Sequence, residues 1–273
     1  MKKWIGQKRM NKPNEAILDG DILAYRAAFW ADQEGIDALQ ERIDQDIRNW
    51  TPPGMDKVYI AMSCPREKNY RRLFWSEYKK HREDVKPPDS MKYALECIYD
   101  TQLTTRCVDR LEADDLIGML VSEGRCIGVT VDKDLRQIPG WHWNPDKEPE
   151  SVLVSQEDAD TYFYQQWITG DSTDNIWGLW KFGPAKAKKI LENNPKETWD
   201  SVIMDLYRNE DWGKRPDNKI PEGMTREEFA LAQARCVRIL RNGDYNKETQ
   251  QISLWSPNNL TDRNILDLQK EKE

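Results

Sequence analysis

Four short acidic clusters contain the residues of this sequence that are best suited to chemistry. They are Asp19-Gly20-Asp21, Glu112-Ala113-Asp114-Asp115, Asp132-Lys133-Asp134 and Asp171-Ser172-Thr173-Asp174. Residues two apart at the end of a strand point to one side, and residues three apart on a helix share one face. Hard divalent cations prefer oxygen ligands, and two of them about 4 Å apart can stabilise the attacking and leaving oxygens of phosphodiester cleavage. The clusters therefore indicate a magnesium site.

One acidic cluster alone would have a simpler explanation. Asp is common at strand ends, in turns and at helix N-caps, where it binds backbone N–H groups. Four clusters are harder to explain in this way, because carboxylates brought together without cations repel one another. The spacing favours a shared cation site, but convergence of the four clusters stays open at this point.

The elements that would position these clusters follow an α/β pattern. Apolar runs at 16–18, 58–62 and 125–131 predict short strands, and helical patterns are found around 22–28, 92–100 and 114–122. Strands separated by helices predict a mostly parallel sheet, which binds ligands beyond the carboxyl ends of its strands. Asp19 and Asp132 follow two of the predicted strands.

The second half of the sequence has a different pattern. From about residue 165 it predicts helices near 185–192, 198–207 and 225–241, and the alternation at 251–255 predicts a late strand. The stretch 208–223, rich in Asp, Asn, Pro and Gly, is typical of an exposed connection. We therefore predict an α/β region over residues 1–164 and a helical region over residues 165–273.

Composition excludes several classes of protein. No apolar run approaches the roughly 20 residues of a membrane helix, and the first fifteen residues lack the apolar stretch of a secretory signal. We expect a cytoplasmic protein without membrane contact. The five cysteines form no C-x-x-C pair and there are two histidines, which argues against a disulfide framework and a zinc site.

A basic segment lies within this acidic chain. The net charge is −7, yet the segment from Lys57 to Lys92 contains ten basic and five acidic residues. Such a segment can neutralise nucleic-acid phosphates, or it can be the solvated face of a helix. Charge alone leaves both interpretations open.

Five blocks follow one another along the sequence: Ile17-Leu18-Asp19-Gly20-Asp21, Tyr78-Lys79-x-x-Arg82, Glu112-Ala113-Asp114-Asp115, Thr130-x-Asp132-Lys133-Asp134 and Gly170-Asp171-Ser172-Thr173-Asp174-Asn175. Taken in this order, they resemble the flap endonuclease and 5′→3′ exonuclease superfamily, in particular the double-strand DNA exonucleases of podophages. The resemblance covers roughly Ile17 to Pro257 and implies a PIN-like 5′-nuclease core.

The resemblance also implies the residues of the site. It assigns Asp132, Lys79 and Arg82 to catalysis, the last two at the scissile phosphate, and it leaves Asp21 as a helix cap. Two Mg²⁺ ions are implied, with Mn²⁺ as a substitute. The implied metal ligands are Asp19, Glu112, Asp114, Asp115, Asp132, Asp134, Asp171 and Asp174.

Two DNA-binding segments are implied as well. The first is a helical arch at about 64–92, in which Arg71 and Arg72 bind DNA and Tyr78 stacks on an unpaired base, while Tyr70 and Trp75 pack inside. The second is a helix-three-turn-helix at about 170–195, where a potassium ion often accompanies the motif. Here bulky Trp177, Trp180 and Pro184 occupy its turn, and its predicted DNA contacts are Gly178, Lys181, Gly183, Lys186, Lys188 and Lys189.

One position departs from the family pattern. Many members carry a further metal-site Asp at the end of the second strand, where this sequence has Ser63 and Cys64. A neutral hydroxyl and a soft thiol are both poor substitutes for a carboxylate at a magnesium site. The change predicts a weakened metal site or an altered metal preference, with activity retained.

The function implied is a two-metal 5′→3′ exonuclease with 5′-flap endonuclease and RNase H-like activity. It would act on DNA 5′ ends and RNA–DNA hybrids, leave 5′-phosphates, and serve phage replication, primer removal and recombination as a monomer beside phage replication proteins. Two alternatives stay open. A PIN-type ribonuclease would not require the hairpin at 178–187, and a non-catalytic DNA-structure-binding protein would not require the carboxylates.

Overall fold

The computed structural model describes residues 11–214, 220–257 and 265–267, and its centre is a six-stranded sheet. Four neighbouring pairs of strands are parallel, and the last pair is antiparallel. In the spatial order β3-β2-β1-β4-β5-β6, the strands are Thr104–Cys107, Lys57–Met62, Glu15–Asp19, Cys126–Val129, Gly140–Trp143 and Val152–Val154. This confirms the predicted mostly parallel sheet.

Helices cover both faces of this sheet. Helices α1 (Gly20–Glu34), α2 (Leu39–Trp50) and α3 (Met91–Tyr99) pack on one face, and α4 (Ala113–Ser122) packs on the other. Successive residues of β1 point to opposite faces, so Leu18 packs with the first group and Ile17 with the second. The edge of the sheet at the strands' carboxyl ends is left for the candidate site.

The second half of the chain packs around an aromatic core. Its helices are α5 (Gln156–Thr169), α6 (Pro184–Asn193), α7 (Trp199–Asn209) and α8 (Arg226–Val237). The core contains Trp167 and Phe229, and also Trp75 from the basic segment. A small antiparallel sheet follows, made of β7 (Tyr245–Asn246), β8 (Gln251–Ser253) and β9 (Ile265–Asp267).

Helix α8 ends four residues before the predicted limit of 241. Beyond it, the N–H of Ile239 donates to Gln137, and the N–H of Leu240 donates to the buried carboxylate of Asp115. These bonds require an extended chain, because in a longer helix the same N–H groups would donate to carbonyls four residues earlier. Tertiary partners therefore end the helix.

The segment predicted as a helical arch is not α-helical. Between β2 and α3 it contains three short 3-10 helices, Arg66–Lys68, Tyr70–Leu73 and Lys80–Arg82. Tyr70 and Trp75 are buried, as predicted, and the indole N–H of Trp75 donates to the carbonyl of Asn175. The segment is held to the protein by these inward-facing side chains, and its role as an arch stays a prediction.

Because His142 on β5 is buried, we expect the stability of the folded protein to depend on pH. Its Nε2 lies 2.8 Å from the carbonyl oxygen of Ile138, and burial lowers its pKa from 6.5 to about 4. The folded state therefore favours neutral His142, and this stabilisation is complete above pH 6.5 and is lost as the pH falls towards 4. Between these limits we expect the wild type to lose about 3 kcal/mol more than His142→Gln does. Urea unfolding at several pH values measures the difference, with exposed His81→Gln as the control; parallel pH profiles for wild type and His142→Gln would contradict it.

Candidate active site

The carboxyl ends of three strands meet at one edge of the sheet. In the register, Asp19 at the end of β1 lies opposite Ala61 of β2, and Leu18 lies opposite Val129 of β4. A pocket of about 150 Å³ lies beside this edge, with Lys79 and Arg82 among its lining residues. Six of the eight predicted metal ligands line it: Glu112, Asp114, Asp132, Asp134, Asp171 and Asp174.

Asp19 does not line this pocket, and its side chain is hydrogen-bonded to Thr130, the residue that follows β4. Its carboxylate accepts the N–H of Ile22 at 3.2 Å and the hydroxyl of Thr130 at 2.7 Å. The same Thr130 oxygen accepts the N–H of Asp132 at 3.0 Å, so one hydroxyl links the two acidic clusters. Burial raises the pKa of Asp19 to about 7, and the charges of Asp21 and Asp132 act in the same direction.

Helix α4 brings a third carboxylate to Asp19 and Asp132. Asp114 lies in the first turn of α4, and burial raises its pKa well above the usual range. The neighbouring charges of Asp19 and Asp132 add to this shift. The three carboxylates therefore repel one another when ionised, and a cation bound among them would relieve this repulsion.

Asp134 and Asp171 form a second acidic pair. Asp134 accepts hydrogen bonds from Gln166 at 2.9 Å and from the Tyr162 hydroxyl at 3.3 Å. Burial and the charge of Asp132 raise the pKa of Asp134 to about 7. Burial opposes ionisation of Asp171 too, but hydrogen bonds from Asp134 and Thr173 outweigh it and lower the pKa of Asp171. The opposite shifts make Asp171 the more readily ionised of the two.

Glu112 and Asp174 are paired with basic residues. The Nζ of Lys79 lies 2.5 Å from Glu112 and 3.5 Å from Asp174, while Arg82 binds Asp174 at 2.6 Å. Burial would raise the pKa of Glu112, but Lys79 and Arg71 outweigh it and hold this pKa at about 2. Positive charge therefore lies beside the acidic groups at the pocket.

Arg71 and Asp115 form a buried ion pair behind Glu112. Their exposed fractions are 1% and 0%. Arg71 donates two bonds to Asp115, at 2.7 and 2.8 Å, and also binds Glu112 and the carbonyls of Cys236 and Arg238. The predicted DNA contact of Arg71 is therefore wrong, and Asp115 is closed to direct metal binding.

Two other predicted contacts are also corrected. Tyr78 is 2% exposed, and its hydroxyl donates to Glu112 at 2.7 Å, so its ring is not available to stack on a base. Asp21 does not cap α1: Asp19 accepts the cap bond from Ile22, and Asp21 instead accepts the N–H of Ser63 at 3.1 Å. Arg72 is half-buried and pairs with Glu83, and its DNA contact stays a prediction.

The predicted hairpin is the loop between α5 and α6. Gly178 is buried there with a φ of 57°, and a Cβ on it would lie 2.2 Å from the backbone nitrogen of Gly170. The loop packs on itself at this glycine, so the prediction that Gly178 approaches phosphate is wrong. The remaining predicted contacts are exposed, and their DNA contact stays a prediction: Lys181, Gly183, Lys186, Lys188 and Lys189.

Several residues of the site were not predicted from the sequence. Thr130 was present in a quoted motif but had no role, and Gln137 and Gln166 gave no signal because each lies outside the acidic clusters. Among the residues that the structure describes, no three Asp, Glu, His or Cys side chains form a ready-made metal cluster. The carboxylates surround the pocket without forming a closed cage.

Residues 14–145, which include β1 to β5 and the first three acidic clusters, match the family model "5'-3' exonuclease, N-terminal resolvase-like domain". This part of the chain belongs to that family. The resemblance inferred from the motifs is therefore confirmed. Within the described ranges, no helix is long and apolar enough to cross a membrane.

Known relatives extend the match over most of the chain. The exonuclease of Escherichia phage T7 is 28% identical, with 88% of this chain and 93% of that protein covered. The exodeoxyribonuclease of Enterobacteria phage T3 is 26% identical, with 88% and 92% covered. The nuclease family assignment thus agrees with relatives of nearly the same length.

Solved structures confirm the fold class. The phage T5 D15 protein, co-crystallised with metal ions, aligns with a TM-score of 0.59 at 15% identity, covering 82% of this chain and 88% of that one. The bacteriophage T5 D15 flap endonuclease in a complex with DNA and metal ions aligns with a TM-score of 0.53, also at 15% identity and with the same coverage. The exonuclease-family core is α/β with a mostly parallel sheet, as predicted.

Proposed function

We propose that this protein is a metal-dependent 5′→3′ exonuclease that also cleaves 5′ flaps, hydrolysing DNA to products with 5′-phosphates. The observation that carries the proposal is the pocket itself: six carboxylates, together with Lys79 and Arg82, converge on it from four separate parts of the sequence. The coverage of the T7 and T3 exonucleases supports the same activity for the whole chain.

The donors at the pocket fit Mg²⁺. All are carboxylate oxygens, and burial raises the pKa values of Asp19, Asp114 and Asp134, with the charges of neighbouring carboxylates acting in the same direction. Mg²⁺ usually keeps several waters and binds one or two carboxylates together with substrate phosphates, which suits an open arrangement. Asp19, Asp114 and Asp132 would hold one ion, and Asp134 and Asp171 the other. Bound Mg²⁺ would activate water and stabilise the attacking and leaving oxygens, and Mn²⁺, which accepts the same ligands, would substitute.

The chain's own cations would complete the reaction site. Lys79 and Arg82 line the pocket and would neutralise the scissile phosphate as its charge develops. Tyr78, Arg71 and Asp115 would act behind them by fixing the position of Glu112. The exposed lysines of the 170–195 hairpin would hold the duplex backbone, and a potassium ion at that hairpin stays a prediction.

Lys79 is expected to affect turnover more than substrate binding. Lys79→Met keeps the apolar stem and removes the charge, and we expect kcat to fall roughly 100-fold with a small change in KM. Steady-state kinetics on 5′-labelled duplex DNA measure both constants. Lys80→Met is the matched control, since Lys80 is exposed and pairs with Glu77. A kcat of Lys79→Met equal to that of the control would remove Lys79 from the proposed mechanism.

The hairpin lysines are expected to affect binding more than turnover. Lys181→Ala/Lys186→Ala should weaken duplex binding and reduce the slope of log affinity against log salt by about 2. Fluorescence anisotropy in Ca²⁺ at several salt concentrations measures this slope. Lys147→Ala/Lys247→Ala, which removes two exposed lysines outside both predicted DNA-binding segments, should leave the slope unchanged. Equal slopes for both double variants would contradict the assignment of the hairpin.

The proposed activity is tested with 5′-labelled duplex, 5′-flap DNA, RNA–DNA hybrid and single-stranded RNA. We expect Mg²⁺-dependent cleavage of the DNA substrates and of the hybrid, 5′-phosphates on the products, and complete loss in EDTA. Cleavage of the hybrid would support a role in primer removal during phage replication. The wider proposal is that the protein acts as a monomer in replication and recombination, beside phage replication proteins. Cleavage of RNA alone would favour a PIN-type ribonuclease, and binding without cleavage would favour a DNA-structure-binding protein.

A further inference from the structure

Helix α4, strand β3 and the start of the small sheet border a groove that shares no residue with the metal pocket. We call it the α4 groove, and its volume is about 160 Å³. Its apolar side chains are Val108, Leu116, Met119, Leu120 and Tyr245. An apolar cavity of about this size can hold a benzene ring. The groove therefore has room for one large apolar side chain.

The α4 groove is bordered by elements that are fixed to one another. Leu116, Met119 and Leu120 lie three and four residues apart on α4 and so share one face of the helix. Leu116 and Leu120 belong to the core beneath this face, while Met119 is half-buried. The loop before β7 is tied to the same helix, because the N–H of Asn242 donates to the Ser122 hydroxyl at 2.7 Å. A preformed site of this kind keeps the entropic cost of binding low.

Arg106 of β3 brings a positive charge to the α4 groove. Its guanidinium carbon lies 4.4 Å from the centre of the Tyr59 ring. Its Nε is buried without a hydrogen-bond partner, and within the described ranges no carboxylate is paired with Arg106. Arg125, which packs over the same ring, is paired with Glu15 at 3.0 Å. Of the two arginines on Tyr59, Arg106 is therefore the one that lacks an anionic partner.

The other charges at the α4 groove leave it positive. Lys247 is exposed there, and Glu123 is the one acidic residue among the described residues that border it. A partly buried guanidinium without an anion is costly, and a carboxylate would offset that cost through charge-assisted hydrogen bonds. The groove thus fits an anionic ligand that also carries an apolar group. An acidic peptide meets both requirements, whereas a phosphodiester backbone meets only the first.

Strand β3 favours a peptide in an extended conformation. It is the edge strand of the six-stranded sheet, and its residues Thr104 and Cys107 are exposed. An edge strand has N–H and C=O groups with which an extended peptide can pair, and alternate side chains of that peptide then point to one face. Arg106 and Val108, two residues apart, both border the groove. A peptide beside β3 would therefore direct every second side chain towards the groove.

We propose that the α4 groove is a docking site for an extended acidic segment of a partner protein. One large apolar side chain of the segment enters the groove, and its carboxylates bind Arg106 and Lys247. This inference goes beyond the proposed function and does not rest on it, because no residue of the groove lines the metal pocket. A partner held here would leave every residue of the metal pocket free for substrate.

The probe is the fluorescein-labelled peptide Glu-Asp-Glu-Phe-Asp-Glu, titrated with the full-length protein and followed by fluorescence anisotropy. We expect saturable binding that weakens about tenfold when alanine replaces the phenylalanine, because a buried aromatic anchor carries much of the energy of such a contact. A peptide with lysine at the five acidic positions should not bind. No saturable binding of the acidic peptide, or equal binding of the three peptides, would overturn the proposal.

Arg106→Gln is expected to weaken binding of the acidic peptide about tenfold, since it removes the charge that pairs with the carboxylates. Arg125→Gln is the matched control, because Arg125 packs over the same Tyr59 ring but does not border the groove. Duplex cleavage without peptide should be the same in Arg106→Gln as in the wild type. Equal peptide affinities of Arg106→Gln and Arg125→Gln would contradict the role of Arg106.

Met119→Glu tests the apolar part of the α4 groove. Met119 is half-buried and Glu is a good helix former, so the fold should be kept. The new carboxylate would repel the acidic peptide, and we expect binding to be lost in a variant whose thermal unfolding is like that of the wild type. Normal peptide binding by Met119→Glu would show that the peptide binds elsewhere and would refute the proposal.

Two other occupants of the α4 groove would give different results, and either result would refute the proposal. If the occupant is DNA, Arg106→Gln should reduce the slope of log duplex affinity against log salt by about 1. If it is a second copy of this chain, sedimentation velocity should show a dimer that Met119→Glu dissociates. A wild type that binds the acidic peptide but does not cleave DNA would contradict the nuclease proposal alone.

Discussion

Asp132→Asn is expected to reduce Mg²⁺-dependent DNA cleavage by about 1,000-fold, the largest loss among the variants considered. Asp132 is the carboxylate common to both acidic groups, because its charge adds to the effect of burial in raising the pKa of Asp19, Asp114 and Asp134. The Asn side chain keeps an oxygen to accept the N–H of Asp134, a bond of 2.8 Å in the wild type. The fold should survive while both ions bind less tightly. Single-turnover cleavage of 5′-labelled duplex measures the loss.

A second readout distinguishes this effect from simple damage. Removing the charge of Asp132 relieves repulsion among buried carboxylates, so the metal-free variant should unfold at a temperature equal to or above that of the wild type at pH 8. The stabilisation by added Mg²⁺ should then be smaller than in the wild type, because the ions bind less tightly. Asp37→Asn serves as the control in both assays. Undiminished cleavage by Asp132→Asn would refute the role of Asp132 at the metal site.

Arg71→Met is expected to lower the free energy of unfolding by about 3–5 kcal/mol, because it leaves the charge of Asp115 buried without its partner. It also removes the donors to the carbonyls of Cys236 and Arg238. Urea unfolding at pH 7 measures the loss. Arg72→Met is the matched control, since Arg72 pairs with a largely exposed Glu83, and such pairs contribute about 1 kcal/mol or less.

The double variant Arg71→Met/Asp115→Asn tests the cause. Asn keeps an acceptor for the N–H of Leu240, which donates to Asp115 at 3.1 Å, and removes the unpaired charge. We expect it to be more stable than Arg71→Met alone. A double variant that is less stable would show that packing of the Arg71 stem, rather than charge, dominates.

The sequence allowed the strands that carry the acidic clusters to be predicted because their signals are local. An apolar run followed by Asp identified β1 and β4, and period-2 alternation identified β8 near residue 251. The edge strand β3 has exposed or half-buried residues in place of an apolar run, so no prediction was made for it. A strand of three to six residues can be predicted from the sequence only when its buried positions are apolar or alternate with polar ones.

The residues of the site likewise fall into those that local motifs reveal and those that only the fold reveals. Carboxylates in motifs were found, but the role of Arg71 was not, because its neighbours Arg72 and Lys68 made the segment resemble a charged surface. Only the fold shows that Asp115, 44 positions away, makes burial of that guanidinium tolerable. The end of α8 was not predicted for a related reason. The N–H groups of the residues that follow α8 donate to Gln137 and Asp115, which lie in distant parts of the sequence.

The contacts of Arg71 also limit where this protein can be cut. A fragment ending before α8 would retain all eight predicted metal ligands, and its sequence would still contain every acidic motif. It would lack the carbonyls of Cys236 and Arg238, which accept hydrogen bonds from the guanidinium of Arg71. The N-terminal region alone therefore does not contain the complete active site. The backbone carbonyls that complete it lie some 120 residues after Asp115 in the sequence.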